Sequence, residues 1–139
     1  MNYFLPRARL PSGLLAIAVV VSASGCSREL PAHLQGAVTL AGKPLPADAQ
    51  AFVVFAAGAD HSRSVSAPIV GGRYDSPHTP RGDVMVFFEI SRPVGPERKS
   101  DRTGLMYRDV STLVPARYVT GIPLKVTGDD ADRNFDLTP

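Results

Sequence analysis

The chain has 139 residues, with 15 Lys or Arg against 13 Asp or Glu and a formal net charge of +2. One cysteine among them excludes an intrachain disulfide framework. The length excludes more than one domain of ordinary size, and 13 prolines with 12 glycines exclude a chain of long helices.

The amino terminus reads as an export leader. Arg7 and Arg9 make a basic start, Leu14 to Val21 is an unbroken apolar run, and Ala23-Ser24-Gly25 supplies small residues before Cys26. The apolar stretch from Leu14 to Gly25 spans 12 residues, whereas a helix crossing a bilayer needs about 20. Residues 1–25 are therefore expected to be a signal peptide rather than a transmembrane helix. Ala23-Ser24-Gly25-Cys26 resembles the bacterial lipobox, which implies that the Cys26 sulfur carries a diacylglyceryl group with palmitate-type chains and attaches the protein to a membrane. An ordinary secretory cleavage before Cys26 is the alternative. Several acyl chains, at about 0.8 kcal/mol per buried CH₂, hold a protein firmly where one does not. Ser27 rather than an aspartate follows, which favours the outer membrane, facing the periplasm or the cell surface, over the inner one.

Losing the leader also changes the charge. Arg7 and Arg9 leave with it and no acid does, so 13 basic residues face 13 acidic ones. Nucleic-acid binding rests on clustered, uncompensated Lys and Arg, and the mature chain has no such excess. The locally basic Arg98–Arg102 segment reads as a solvated loop.

Residues 26–33 read as a polar, lipid-proximal tether, and residues 34–139 as one β domain. Leu34 to Leu40 is the first expected strand, with Val38 and Leu40 on one face and Thr39 on the other. Ala41 to Pro46 is a turn. Gln50 to Ala56 is apolar on both faces, which predicts a central strand covered on both sides. Ser64 to Val70 and Arg73-Tyr74-Asp75 flank Gly71-Gly72, the signature of a two-residue hairpin. Asp83 to Ser91 is the clearest strand, with Val84, Val86, Phe88 and Ile90 expected in the core. Arg92 to about Ser111 has no period and reads as a long exposed loop. Leu124 to Thr127 and Asn134 to Leu137 are the last strands, with Gly128 to Arg133 turning between them. About seven short strands predict an all-β sandwich with Greek-key connections, a barrel being the alternative.

These segments resemble, in their order, the carboxypeptidase regulatory-like, or transthyretin-like, domain. Gly36-Ala37-Val38-Thr39-Leu40-Ala41-Gly42-Lys43-Pro44-Leu45 is similar to the opening of that family. Gly71-Gly72-Arg73-Tyr74 resembles its hairpin, and Thr79 to Val86 its turn into a strand. Leu113 to Tyr118, Pro123-Leu124 and Asn134 to Leu137 are similar to the ending of small planctomycete-type lipoproteins that carry it. Gly71 stands where the family has aspartate, and Asp83 where an aromatic is common. The resemblance implies a prealbumin-like (Ig-like) β-sandwich, without catalysis or cofactor.

Candidate chemistry is sparse. His33, His61 and His78 are the only histidines. Ser62, Ser64 and Ser66 lie near His61, but no nucleophile sits in an elbow motif, and surface histidines account for the pattern. Asp129, Asp130, Asp132 and Asp136 suggest oxygen ligands for calcium, although the loop order of a calcium motif is missing and aspartates also suit turns. Arg81-Gly82-Asp83 spells an adhesion tripeptide at a position where the fold needs a turn into its best strand. Tyr74, Tyr107 and Tyr118 would make a sugar-stacking platform only by converging; Tyr74 and Tyr118 otherwise read as core residues. The expectation is a lipid-anchored, non-enzymatic envelope protein, with an envelope protein or a glycan as partner. A carbohydrate-binding or adhesion module is the alternative. Cys26 is the one assigned site, with no catalytic, cofactor or metal residue.

Overall fold

The computed structural model describes residues 29–139. The expected signal peptide and Cys26 lie outside them. Eight strands follow one another: β1 (Ala32–Leu40), β2 (Gln50–Ala57), β3 (Arg63–Val70), β4 (Arg73–Thr79), β5 (Gly82–Lys99), β6 (Met106–Thr112), β7 (Ile122–Val126) and β8 (Phe135–Leu137). One 3₁₀ turn, Ala116–Tyr118, lies between β6 and β7. The domain is all-β, with no α-helix among the described residues.

The hydrogen-bonded path runs β6-β5-β2-β3-β4-β1-β8, and β7 adds to β5 beside β6. β3 turns this path into two layers. It pairs with β2 from Arg63 through Pro68 and with β4 at Ile69 and Val70, so it changes partner within two residues. Phe55 of β2 meets Tyr74 of β4 at 5.8 Å between ring centres, and Phe88 of β5 meets Phe135 of β8 at 5.2 Å. Neither pair of strands is adjacent in the path, so these rings join the layers as a sandwich core. No ladder joins β8 to β5 among the described residues, which leaves the sheet open rather than closed as a barrel.

Strand periodicity explains the core. Val84, Val86, Phe88 and Ile90 are buried as expected, against Ala51, Val53 and Phe55 of β2. Each large side chain buried this way contributes about 1.5–3 kcal/mol relative to exposure. At the β3–β4 hairpin Gly71 and Gly72 have φ of 59° and 75°, the left-handed pair that a type I′ turn needs.

Several features depart from expectation. There are eight strands, because β6 arises within the expected loop Arg92–Ser111. β1 starts at Ala32, which is fully buried, so Ala32 and His33 belong to the sandwich and not to a tether. Gly128 to Arg133 does not turn between paired strands. β7 ends on β5 and β8 runs parallel to β1, so this segment crosses from one layer to the other. The crossing zips onto β1 through Gln35 N to Asp130 O (2.8 Å) and Arg133 N to Gln35 O (2.9 Å). A Cβ on Gly36 would sit 2.0 Å from the Arg133 carbonyl oxygen, so only glycine lets the two backbones approach this closely. Finally, the outer face of β2 is covered only toward its end: Phe52 is 41% exposed, Val54 is half-buried and Ala56 is buried.

The sandwich has two distinguishable poles. Ala32 of β1 pairs with Thr79 at the end of β4, and only Pro80 and Arg81 separate Thr79 from Gly82. The beginnings of β1 and β5 therefore share one pole. From there β5 runs through 18 residues, roughly 60 Å at the usual strand rise, and leaves the sandwich at the other pole.

Candidate interaction surface

Ser91 is the last residue of β5 with a partner on each side, Gln50 of β2 and Thr112 of β6. Beyond it, Arg92 to Lys99 pair only with β6. The result is a two-stranded arm standing off the body, and every residue of β6 is exposed. Its two edges differ. On β5, Pro93 and Pro96 interrupt the row of backbone donors, a device that discourages further strand pairing. The β6 edge carries no proline.

The tip is an ordered turn. Ser100 N donates to Leu105 O (2.9 Å), Gly104 N to Ser100 O (2.8 Å), and Thr103 N to the Ser100 hydroxyl (3.3 Å). Leu105 is 69%, Met106 55% and Tyr107 46% exposed, and Val110 lies exposed farther down. Between Arg98 and Arg108 stand four basic residues, Arg98, Lys99, Arg102 and Arg108, against one acid, Asp101. Asp109 lies 3.8 Å from Arg98. Sequence reading missed this surface, because side chains exposed on both faces of a ribbon need no alternation. The only local signal was Ser100 to Gly104 as a turn between two stretches of similar length.

A second feature lies on the outer face of the same sheet. Val54, Phe87, Glu89, Ser91, Thr112 and Val114 line an open cleft of about 570 Å³. It sits over the stretch of β5 between its last pair with β7 (Val86–Ile122) and its first with β6 (Ser91–Thr112). Gly121 closes over Phe87, where a Cβ would come within 2.8 Å of the ring. His61 packs edge-on against Phe87 at 5.4 Å.

The structure disperses most of the residues singled out in the sequence. His33 and Asp75 form a surface pair (Nε2 to Oδ1 2.5 Å), and Gln35 Nε2 donates to the other carboxylate oxygen (3.1 Å). These contacts, His33 first, hold the Asp75 carboxyl below its ordinary range. No serine joins them. His61 has a positive φ of 54° and its ring lies on Phe87. Its neighbour Asp60 is held low by the Ser62 hydroxyl and amide. His78 is exposed on β4, and Ser64 and Ser66 are exposed on β3. The three histidines and these serines do not assemble into a Ser-His-Asp arrangement.

Three of the four clustered aspartates, Asp129, Asp130 and Asp136, use their carboxylates for bonds within the fold. Asp129 accepts from His33 N (2.8 Å), Asp130 from Asp132 N (2.9 Å) and Arg133 Nη2 (2.9 Å). Asp136 accepts from Gly42 N and the Thr39 hydroxyl, both at 2.8 Å, and these bonds hold its carboxyl below the ordinary range. No group of three or more potential metal ligands is placed together among the described residues. Arg81 donates to Thr127 O (3.1 Å), and Gly82 opens β5 with φ of 92°, so Arg81-Gly82-Asp83 does form the entry to the main strand.

Tyr74 and Tyr118 are core residues, as expected, and Tyr107 is exposed on the arm, so the three do not converge as a stacking platform. Tyr74 is buried, its hydroxyl donates to Arg133 O (2.7 Å), and burial pushes its phenol upward. Tyr118 is buried beside Arg117, whose guanidinium lies 4.7 Å from the ring centre. Only Tyr107 is exposed, on the arm.

No family model, no curated protein and no solved structure matches the chain. What the protein does is therefore read from its residues and their geometry.

Proposed function

We propose that this chain is a lipid-anchored, non-enzymatic protein of the cell envelope whose β-sandwich displays an interaction arm. The observation that carries the reading is the placement of the arm. The first described residues enter the sandwich at the pole where β1 and β5 begin, and the arm leaves from the other. An acyl group on Cys26, a few residues before β1, would hold the first pole at a membrane and direct the arm outward. Kinship with carboxypeptidase regulatory-like domains, drawn from Gly36–Leu45 and the Gly71-Gly72 hairpin, is part of this proposal. So is an outer-membrane location.

The test is metabolic labelling with a palmitate analogue followed by fractionation. Label should appear in membrane fractions on a chain whose amino terminus is Cys26, and Cys26→Ala should abolish it. Recovery of the precursor with its leader intact in the cytoplasm would overturn the reading.

A further inference from the structure

We propose that the tip of the arm, Arg98 to Arg108, is a second membrane-contacting site that enters an anionic bilayer surface tip-first. The inference rests on the arm being the working end of the molecule, but not on the lipid at Cys26. Met106 and Tyr107 are consecutive in β6, so their side chains leave opposite faces of the ribbon. The register gives each a basic neighbour on its own face: Lys99 opposite Met106, and Arg98 opposite Tyr107. Leu105 caps the end, with Arg102 in the turn.

A protein groove covers one face of a ribbon and would leave the other apolar–basic pair in water. A bilayer interface surrounds a tip on all sides. It takes Leu, Met and Tyr into the acyl boundary while Lys and Arg extend to the phosphates. With Arg98 facing Asp109, the cations left at the tip are Lys99, Arg102 and Arg108 against Asp101, and they favour anionic headgroups, since each Lys or Arg near such a surface strengthens binding about fivefold. The arm lies at the pole opposite the start of β1, so a chain held at Cys26 would present the tip to a bilayer surface other than the one at its base.

The experiment uses residues 29–139, whose buried core among the described residues runs from Ala32 to Leu137 and which lack the leader and Cys26. The chain has no tryptophan, so Tyr107→Trp provides a single reporter. With vesicles of phosphatidylglycerol and phosphatidylcholine, the protein should float with the lipid and the emission of the introduced indole should shift to the blue. Pure phosphatidylcholine should bind at least about tenfold more weakly. Leu105→Ser with Met106→Ser should weaken binding to anionic vesicles by more than about tenfold, with an unchanged urea midpoint reporting an intact body. Absence of flotation, or binding indifferent to the double substitution, overturns the proposal. Equal competition by soluble polyglutamate with no blue shift also overturns it, and assigns the tip to an acidic protein. Because Cys26 is absent from this protein, such a failure leaves the palmitate test of the anchor unaffected.

Discussion

The body and the arm share one strand and obey different rules. Over Val84 to Ile90, β5 has β2 on one side and a buried face packed against the opposite layer. Beyond Ser91 the same strand has one neighbour, and from Gly95 to Lys99 every residue is exposed. Burial fixes register in the first half, because a slip of one residue would exchange Val86 and Phe88 with Phe87 and Glu89. In the second half a shift in register between Val94 and Arg98 is accommodated without consequence for a core. A two-stranded ribbon without a packed face is marginal in water, so the arm owes its order to local turn bonds and to the body at its root. Side chains in the body are chosen by what they pack against. Those on the arm are free to be chosen by what lies outside the molecule.

Several substitutions would break or sharpen this contrast. The largest loss is expected in the body with Phe55→Ala, which empties a fully buried site between layers and should cost about 3–5 kcal/mol in urea unfolding. Gly36→Ala forces the crossing segment off β1, because the added carbon collides with a carbonyl rather than a flexible side chain. It should cost about 2–3 kcal/mol, read by the same midpoint. Tyr74→Phe removes the bond to Arg133 O but keeps the ring, and should cost about 1 kcal/mol. If Tyr74→Phe cost as much as Gly36→Ala, the view that backbone approach dominates this seam would be wrong.

Acid should act on the body through Asp136. Its carboxyl is held low in the folded chain by Gly42 and Thr39, so it favours the folded state above the ordinary carboxylate value of about 4. That contribution is lost as pH falls through the folded value. Asp136→Asn should therefore flatten the decline of the urea midpoint between neutral and acid pH, and an unchanged decline would exclude Asp136 as a source. The smallest effect belongs to the arm. Replacing Pro93 to Val110 with a short turn should change the free energy of unfolding by less than about 0.5 kcal/mol, and hydrogen exchange should show fast amides in Met106–Thr112 beside slow ones in β2. A large loss from this deletion would mean that the arm is part of the folding unit.

The same contrast explains what the sequence made legible. Val84 to Ile90 could be read because burial imposes a two-residue period, and Gly71-Gly72 because a tight hairpin needs left-handed backbone. Met106 to Thr112 could not be read as a strand. With both faces in water, Tyr107, Arg108 and Asp109 carry no alternation, and Pro93, Gly95 and Pro96 imitate a loop. The pairing of β8 with β1 was equally hidden. Asn134 to Leu137 shows its own alternation but not its partner, nearly a hundred residues earlier. Gly36 records that contact only as a glycine within the first strand. The apolar outer face of β2 led to the expectation of a second covering layer, and the structure leaves Phe52 in the open. Whether the aspartates serve turns or a cation stayed open between two readings, because sequence shows charges without the amides and hydroxyls that they accept from.

The run of β5 from one pole to the other bears on how the molecule would respond to force. Consider a chain held near Glu29 and pulled at the arm. The load would enter along β5 and pass through β2, β3 and β4 to β1, the order of the hydrogen-bonded path. Hydrogen bonds loaded in that direction share the strain across a ladder instead of opening one after another. The eight paired positions between β5 and β2 would then resist extension together.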